Sequence, residues 1–391
     1  METSAARFWL GLSIAVGWMA IPAQAGSTVI GHASLAAATN PPAGISAKVG
    51  QLRWFFTHAS VGGNLVTGMN VLHAENGARY PLQIYGYDGD DGDGAYHGAV
   101  GTAGSEGGAD YRAAADPAST PNGFVYESMR GNPDWANKLV CFSNSVVASG
   151  WRFPKVNVVM DKFCWIDPYA DPDEYCAMMS GLEARYPQTL FVYVTMPLTT
   201  ETAGSENDLR NVFNRAVREH CATEGKWLLD LADIEAWTEA GGEQTYVSEG
   251  ETNQLLTADY ATGPEWGDYH LNAAGRRRGA LGWHALAQAL FQTDRDGDGA
   301  SDGDELIAGT APADGGDRLQ LVFDPATSAT QQVVRWTGAS NRWYAIQESP
   351  TLMTGAVWSN RATNLPASGT LNVHTLALPE AWSFLRLTVE Q

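Results

Sequence analysis

Basic residues are scarce in this chain. Lys and Arg number 24 against 44 Asp and Glu, a formal net charge of −20. A surface of that sign repels phosphate backbones and anionic lipid, which sets aside nucleic acid and acidic membranes as partners. Cysteine is scarce too, with four in 391 residues, at positions 141, 164, 176 and 221. None lies in a Cys-x-x-Cys pair, so there is no zinc site of that kind. In an oxidising compartment four cysteines permit three complete pairings, and the sequence does not choose among them or exclude free thiols. Beyond the amino terminus no apolar run is long enough to span a bilayer.

The amino terminus itself reads as an export signal. Arg7 precedes the apolar core "FWLGLSIAVGWMAIP", and "AQA" at 23–25 offers small residues for cleavage near Ala25. The core is short for a span, and no cysteine follows the cleavage site to carry a lipid. Residues 1–25 are therefore expected to be a signal peptide, and the mature protein secreted or periplasmic.

With 44% hydrophobic residues the chain can bury a sizeable core. Residues 26–50, small and polar, are expected to be a loose lead-in. From 51 to 292 strand and helix patterns alternate. "LRWFFTHA", "FPKVNVVMDKFCWI", "TLFVYVTMPL" and "KWLLDLADI" are continuous apolar strands of the kind covered on both faces. "PDEYCAMMSGLEARYP", "SENDLRNVFNRAVREHCATEG" and "NAAGRRRGALGWHALAQALFQ" are helices, the second opened by Ser205 as cap and closed by Gly225. The alternation predicts an α/β domain with a parallel sheet. A Gly- and Asp-rich insertion, "YDGDDGDGAYHGAVGTAGSEGGADYR", interrupts it and is too long for an ordinary connection. Residues 318–391 change character to short alternating runs separated by turn residues, which predicts a small all-β sandwich.

Residues 293–317 link the two. Asp294, Asp296 and Asp298 stand at positions 1, 3 and 5 of a loop, with Gly299 at 6, the Ala300 carbonyl at 7, Asp302 at 9 and Glu305 at 12. This is the EF-hand spacing, which wraps hard oxygens round one Ca2+ and closes with a carboxylate that can bind through both oxygens. The loop resembles the calcium loops of dockerins and thrombospondin type 3 repeats, which implies a structural ion at the joint. The acidic cluster at Asp88, Asp90, Asp91 and Asp93 lacks the twelfth carboxylate and reads as a solvated loop.

Two further signals carry chemistry. In "FFTHASVGGNLV" a buried strand stops on Ser60, just before Gly62 and Gly63, where a helix would begin. Free N–H groups at such a start can hold an oxyanion, and glycine admits a substrate closely. In "EWGDYHLNAAG" His270 heads the last helix with Asp268 two residues before it. A histidine so placed can act as general base to a serine and be oriented by the carboxylate, with Glu265 the next choice for that role.

In this order on an α/β chain the two signals resemble the SGNH (GDSL-like) hydrolase family, over roughly Leu52 to Phe291. "HASVGGN", "GNPDWANKLVCF", "KFCWID" and "DYHLNAAG" resemble the successive blocks of a divergent branch. The family's Gly-Asp-Ser is His58-Ala59-Ser60 here, and its oxyanion asparagine block reads Cys164-Trp165-Ile166-Asp167. Asn64, Asn132 or Lys162 could supply that donor. The resemblance implies a flavodoxin-like three-layer α/β/α domain and a serine esterase without a catalytic cofactor. Its catalytic residues would be Ser60, His270 and Asp268, with Gly62, Gly63, Asn64 and Asn132 toward the oxyanion. An exported enzyme with an accessory β-domain suggests an acylated carbohydrate as substrate. The carboxy-terminal region resembles fibronectin type III-like modules and could tether the enzyme to a surface or glycan. Its Trp336, Trp343, Tyr344, Trp358 and Trp382 are either a sugar-stacking face or its core. The alternatives are a non-catalytic glycan- or surface-binding protein on the same fold, and a calcium-dependent adhesion module.

Overall fold

The computed structural model describes residues 28–86, 123–129, 132–148, 156–263, 268–324, 331–338, 342–353, 356–367, 371–377 and 384–390. The expected signal peptide, the Asp88–Asp93 cluster, Glu265 and Trp382 lie outside the described residues. Seven strands form one sheet: β1 (Val29–Ile30), β2 (Trp54–His58), β3 (Gln83–Gly86), β4 (Phe124–Met129), β5 (Val158–Asp161), β6 (Leu190–Val194) and β7 (Leu228–Leu229). Their order is β1-β7-β6-β5-β2-β4-β3, and every pairing is parallel. β2, β5 and β6 are buried at every position, which is why their sequences run apolar without alternation.

The helices are α1 (Leu35–Thr39), α2 (Ile45–Val49), α3 (Val61–Asn76), α4 (Trp135–Ala148), α5 (Pro172–Arg185), α6 (Glu206–Glu224), α7 (Leu231–Ala236), α8 (Ala273–Ala289) and α9 (Asp302–Ala308). One face of the sheet packs Phe56 against Leu65 of α3 and Trp283 and Leu286 of α8. The other packs Phe55 against Phe142 of α4, Tyr175 of α5 and Phe213 of α6. The result is the expected three-layer α/β/α domain. Its helix ends follow the expected chemistry. Asp171 accepts from the Asp173 and Glu174 N–H groups, Ser205 from Asn207, and Asn272 from Ala274 and Gly275, while Gly225 closes α6 at φ 62°.

The topology places a crevice. From β2 the chain moves to one half of the sheet for β3 and β4, then crosses to the other half for β5, β6 and β7. The strand order therefore reverses between β2 and β5, and in open α/β sheets ligands bind outside the carboxyl ends at such a point.

The structure departs from the expected segmentation in two places. Residues 28–50 are folded, not loose. β1 pairs with β7, and the His32 ring stacks on Trp237 while its Nδ1 bonds Asp233 at 2.7 Å. A two-residue strand has no periodicity to read. "KWLLDLADI" holds only the two strand residues of β7, because Asp230 caps α7 and binds Arg218 at 2.6 Å. All four cysteines are buried, and none is in a disulfide.

The carboxy-terminal region forms two antiparallel sheets, of β12 (Val322–Phe323), β13 (Gln331–Thr337) and β16 (Leu371–Ala377), and of β15 (Ser359–Pro366), β14 (Trp343–Ser349) and β17 (Phe384–Glu390). Val334, Trp336, Tyr344, Ile346 and Leu376 fill the space between them. Trp336 and Tyr344 are thus core, whereas Trp343 is half exposed and Trp358 lies under the Arg386 guanidinium. Among the described residues no helix is long and apolar enough to cross a membrane.

Candidate active site

Ser60 follows β2 by two residues and is the N-cap of α3, at φ 51°. A left-handed backbone at a non-glycine residue costs energy and persists only where the surroundings over-determine it. Here they do. The last two residues of β2 are pinned from both neighbouring strands. Thr57 Oγ1 donates to Asp161 Oδ1 of β5 at 2.6 Å, and His58 Nε2 meets Glu127 Oε1 of β4 at 2.8 Å, all at negligible exposure. Gly62 is required by the same construction. A Cβ there would overlap the Cβ and ring of His58.

His270 reaches Ser60 because two helices pack unusually close. α3 and α8 touch where Gly68 faces the Arg276 carbonyl, a contact any Cβ would block. Ser60 opens α3, and His270 lies just ahead of α8, on β11 (Asp268–Leu271). β11 pairs antiparallel with β10 (Ala261–Gly263), and Thr262 Oγ1 donates to the His270 carbonyl at 3.2 Å. A cross-tie sets the register between the two helix starts: the Leu271 N–H donates to Asn64 Oδ1 at 2.8 Å. With these restraints Ser60 Oγ and His270 Nε2 are hydrogen-bonded. That is the geometry a serine nucleophile and its general base require.

The other site residues fall as follows. Asp268 opens β11, two residues before His270 and paired with Gly263, but its side chain lies outside the described residues. The Gly62 and Gly63 N–H groups do not face a substrate. They close the first turn on the Ala59 and Ser60 carbonyls, at 3.0 and 2.8 Å. This corrects the expectation of a glycine donor, and its cause is the tight turn that starts α3. The Ser60 and Val61 N–H groups have no acceptor among the described residues and are the donors this turn offers. Asn64 commits its oxygen to Leu271 and so positions the β11 strand. Asn132 is exposed ahead of α4.

Sequence reasoning missed several residues around the crevice. Asp167, in the block where an asparagine was sought, accepts from the Cys164 N–H at 2.8 Å and from Lys138 Nζ at 2.7 Å, with Lys138 wholly buried. The pair fixes the loop after β5 from beneath. Arg210 of α6 is also buried. Its Nε donates to the Trp165 carbonyl at 2.6 Å, and its other nitrogens reach Thr199 Oγ1 and Glu206. Burial pushes its pKa down, opposed by Glu201 and Glu206. Trp165 stands edge-on to Tyr269, so an aromatic wall joins the β5 loop to the histidine strand. Glu235 of α7 is buried and accepts from the Leu198 N–H at 2.7 Å. Burial pushes its pKa up to about 8, and that hydrogen bond and the Lys162 charge pull the other way. A lone buried glutamate on a short helix leaves no signal in one sequence.

No protein-family model matches the chain, and none of the curated proteins compared with it matches either. Solved structures do. A protein from Slackia heliotrinireducens described as a candidate SGNH hydrolase is 14% identical, with a TM-score of 0.34, over 60% of this chain and 97% of its own. A GDSL-like lipase from Bacteroides thetaiotaomicron is 10% identical, with a TM-score of 0.36, over 61% of this chain and 90% of its own.

Proposed function

We propose that this chain is a serine hydrolase acting on esters. The observation that carries the reading is the Ser60–His270 hydrogen bond at the carboxyl end of a parallel sheet, with Ser60 held at positive φ. His270 Nε2 takes the Ser60 proton as Oγ attacks the ester carbonyl carbon. The Ser60 and Val61 N–H groups receive the oxyanion at the start of α3. Collapse of the tetrahedral intermediate breaks the C–O bond, and the departing alcohol takes the proton from His270. Water, deprotonated by His270, then cleaves the acyl-enzyme, releases the carboxylic acid and restores Ser60. Asp268, ahead of His270 in sequence, is proposed to orient the imidazole.

The finer reading is a secreted or periplasmic esterase that removes acyl groups, such as acetyl, from a carbohydrate. It rests on the leader sequence and on the presence of an accessory β-sandwich, which is proposed to act as a tether. The test is hydrolysis of p-nitrophenyl acetate by the mature protein and by Ser60→Ala. Activity that falls roughly a thousandfold or more in a folded variant supports the reading. Equal activity in both excludes Ser60 as nucleophile.

A further inference from the structure

The loop between the two domains gathers carboxylates in a way the esterase reading does not use. One oxygen each of Asp294, Asp296 and Asp298 lies within 4.8 Å of the others. Asp294 is held in place by the Gly297 and Gly299 N–H groups, at 2.8 and 2.9 Å. Glu305, in the first turn of α9, interacts with the Asp296 and Asp298 charges. It is 1% exposed, its Oε1 accepts from Thr310 at 3.2 Å, and its Oε2 is buried with no hydrogen-bond partner. Asp296 Oδ2 and Asp298 Oδ2 are likewise buried without a donor. Buried like charges of this kind are tolerable when a cation sits among them.

Asp302 is different. The EF-hand spacing assigns it the ninth position, but its Oδ2 accepts from Trp227 Nε1 at 2.8 Å and from Arg295 Nε. Trp227 directly precedes β7, so Asp302 ties the start of α9 to the sheet. The rest of α9 is shared between the two domains. The Leu306 side chain sits in the α/β core, its carbonyl accepts from Asn157 Nδ2 at 2.7 Å, and Lys48 pairs with Asp304 at 2.8 Å. From the sandwich, Arg342 Nε donates to the Ile307 carbonyl at 2.9 Å and the Tyr344 hydroxyl to the Ala308 carbonyl at 3.1 Å.

We propose that Asp294, Asp296, Asp298, the Ala300 carbonyl and Glu305 bind one Ca2+, that Asp302 is not a ligand, and that the ion locks α9 as the joint between the domains. The donors are all hard oxygens, with neither imidazole nor thiolate, which suits Ca2+ over a transition metal. Glu305 is the link, because it belongs to α9 and brings a buried, unpartnered oxygen that interacts with the Asp296 and Asp298 charges. Asp302 fastens the same helix through Trp227 without coordinating the ion.

The test uses the full mature chain after chelation, titrated with CaCl2 in a calorimeter and melted with and without the ion. One Ca2+ is expected to bind and to raise Tm, since a ligand of the folded state stabilises by mass action. Glu305→Gln and Asp296→Asn are each expected to weaken binding by roughly tenfold or more, by loss of a charged ligand. Asp302→Asn is expected to keep calcium affinity within about threefold while lowering Tm with and without the ion, since it loosens a fold contact. Absence of binding up to about 10 mM CaCl2, beyond the range of weak extracellular sites, would overturn the proposal. So would an Asp302→Asn variant that loses as much affinity as Glu305→Gln. Circular dichroism of each variant separates loss of a ligand from loss of the fold.

Discussion

Beneath Ser60, Glu127 faces His58 and Asp161 faces Thr57, so each buried carboxylate has a proton donor on the adjacent strand. Around residue 296, Asp296, Asp298 and Glu305 each keep one buried oxygen that has no hydrogen-bond partner among the described residues. The first arrangement ties each acid across to the strand that carries Ser60 and holds a strained backbone in place, although Glu127 keeps its second oxygen buried without a partner. The second is proposed to take its positive charge from a bound ion. The lesson is that burying acids serves two ends in one chain. At the crevice it fixes the position of a nucleophile. At the linker it leaves carboxylate oxygens open for the proposed ion.

The largest blow to the first arrangement should come from Gly62→Ala. The added Cβ overlaps His58, in a site closed by Glu127, so the variant should lose about 2 kcal/mol or more of stability in urea melts. Adding His58→Gly, which removes both the Cβ and the ring, should recover part of the loss. A double variant no more stable than Gly62→Ala alone would show that His58 is not what requires glycine there.

Glu235 tests how far partnering protects a buried acid near the crevice. Its folded pKa, about 8, lies above the ordinary 4.5, so the folded protein holds a proton that the unfolded chain releases. The stability this contributes is complete below pH 4.5 and is lost as pH rises toward 8. Glu235→Gln, which keeps an acceptor for the Leu198 N–H, should flatten the fall in unfolding free energy across that interval. An unchanged slope would mean that the Lys162 charge keeps Glu235 ionised.

A smaller effect separates two roles for Asn64. Asn64→Ala leaves the Leu271 N–H without its partner and should lower kcat about tenfold through a loosened His270 strand. Asn64→Asp keeps the acceptor and should recover most of that activity. If it does not, the side-chain amide is needed as a donor, as an oxyanion role would require.

Much of the architecture is legible in the residues. Strands covered on both faces must run apolar, and capped amphipathic helices advertise their ends, so β2, β5, β6, α5, α6 and α8 are readable. Ser60 and His270 are readable for a related reason. Each stands just ahead of a helix, and the packing of α3 on α8 brings those two starts together. What stayed hidden depends on contacts with distant residues. β1 is two residues long, and only its pairing with β7 makes it a strand. β15, "SNRATNLP", is too polar to announce itself. Nothing near Asp302 in the sequence reveals that Trp227, 75 positions earlier, claims its carboxylate. The Gly62 and Gly63 N–H groups look free until the turn is seen to close on Ala59 and Ser60.

The most direct test of the central claim is covalent labelling. The mature protein is treated with a fluorophosphonate, which reacts with activated serines, and peptides are mapped by mass spectrometry alongside Ser60→Ala and His270→Ala. The account predicts one modified residue, Ser60, with labelling absent in Ser60→Ala and slowed at least roughly a hundredfold in His270→Ala. Labelling of another serine, or of Ser60 at an unchanged rate without His270, would contradict it.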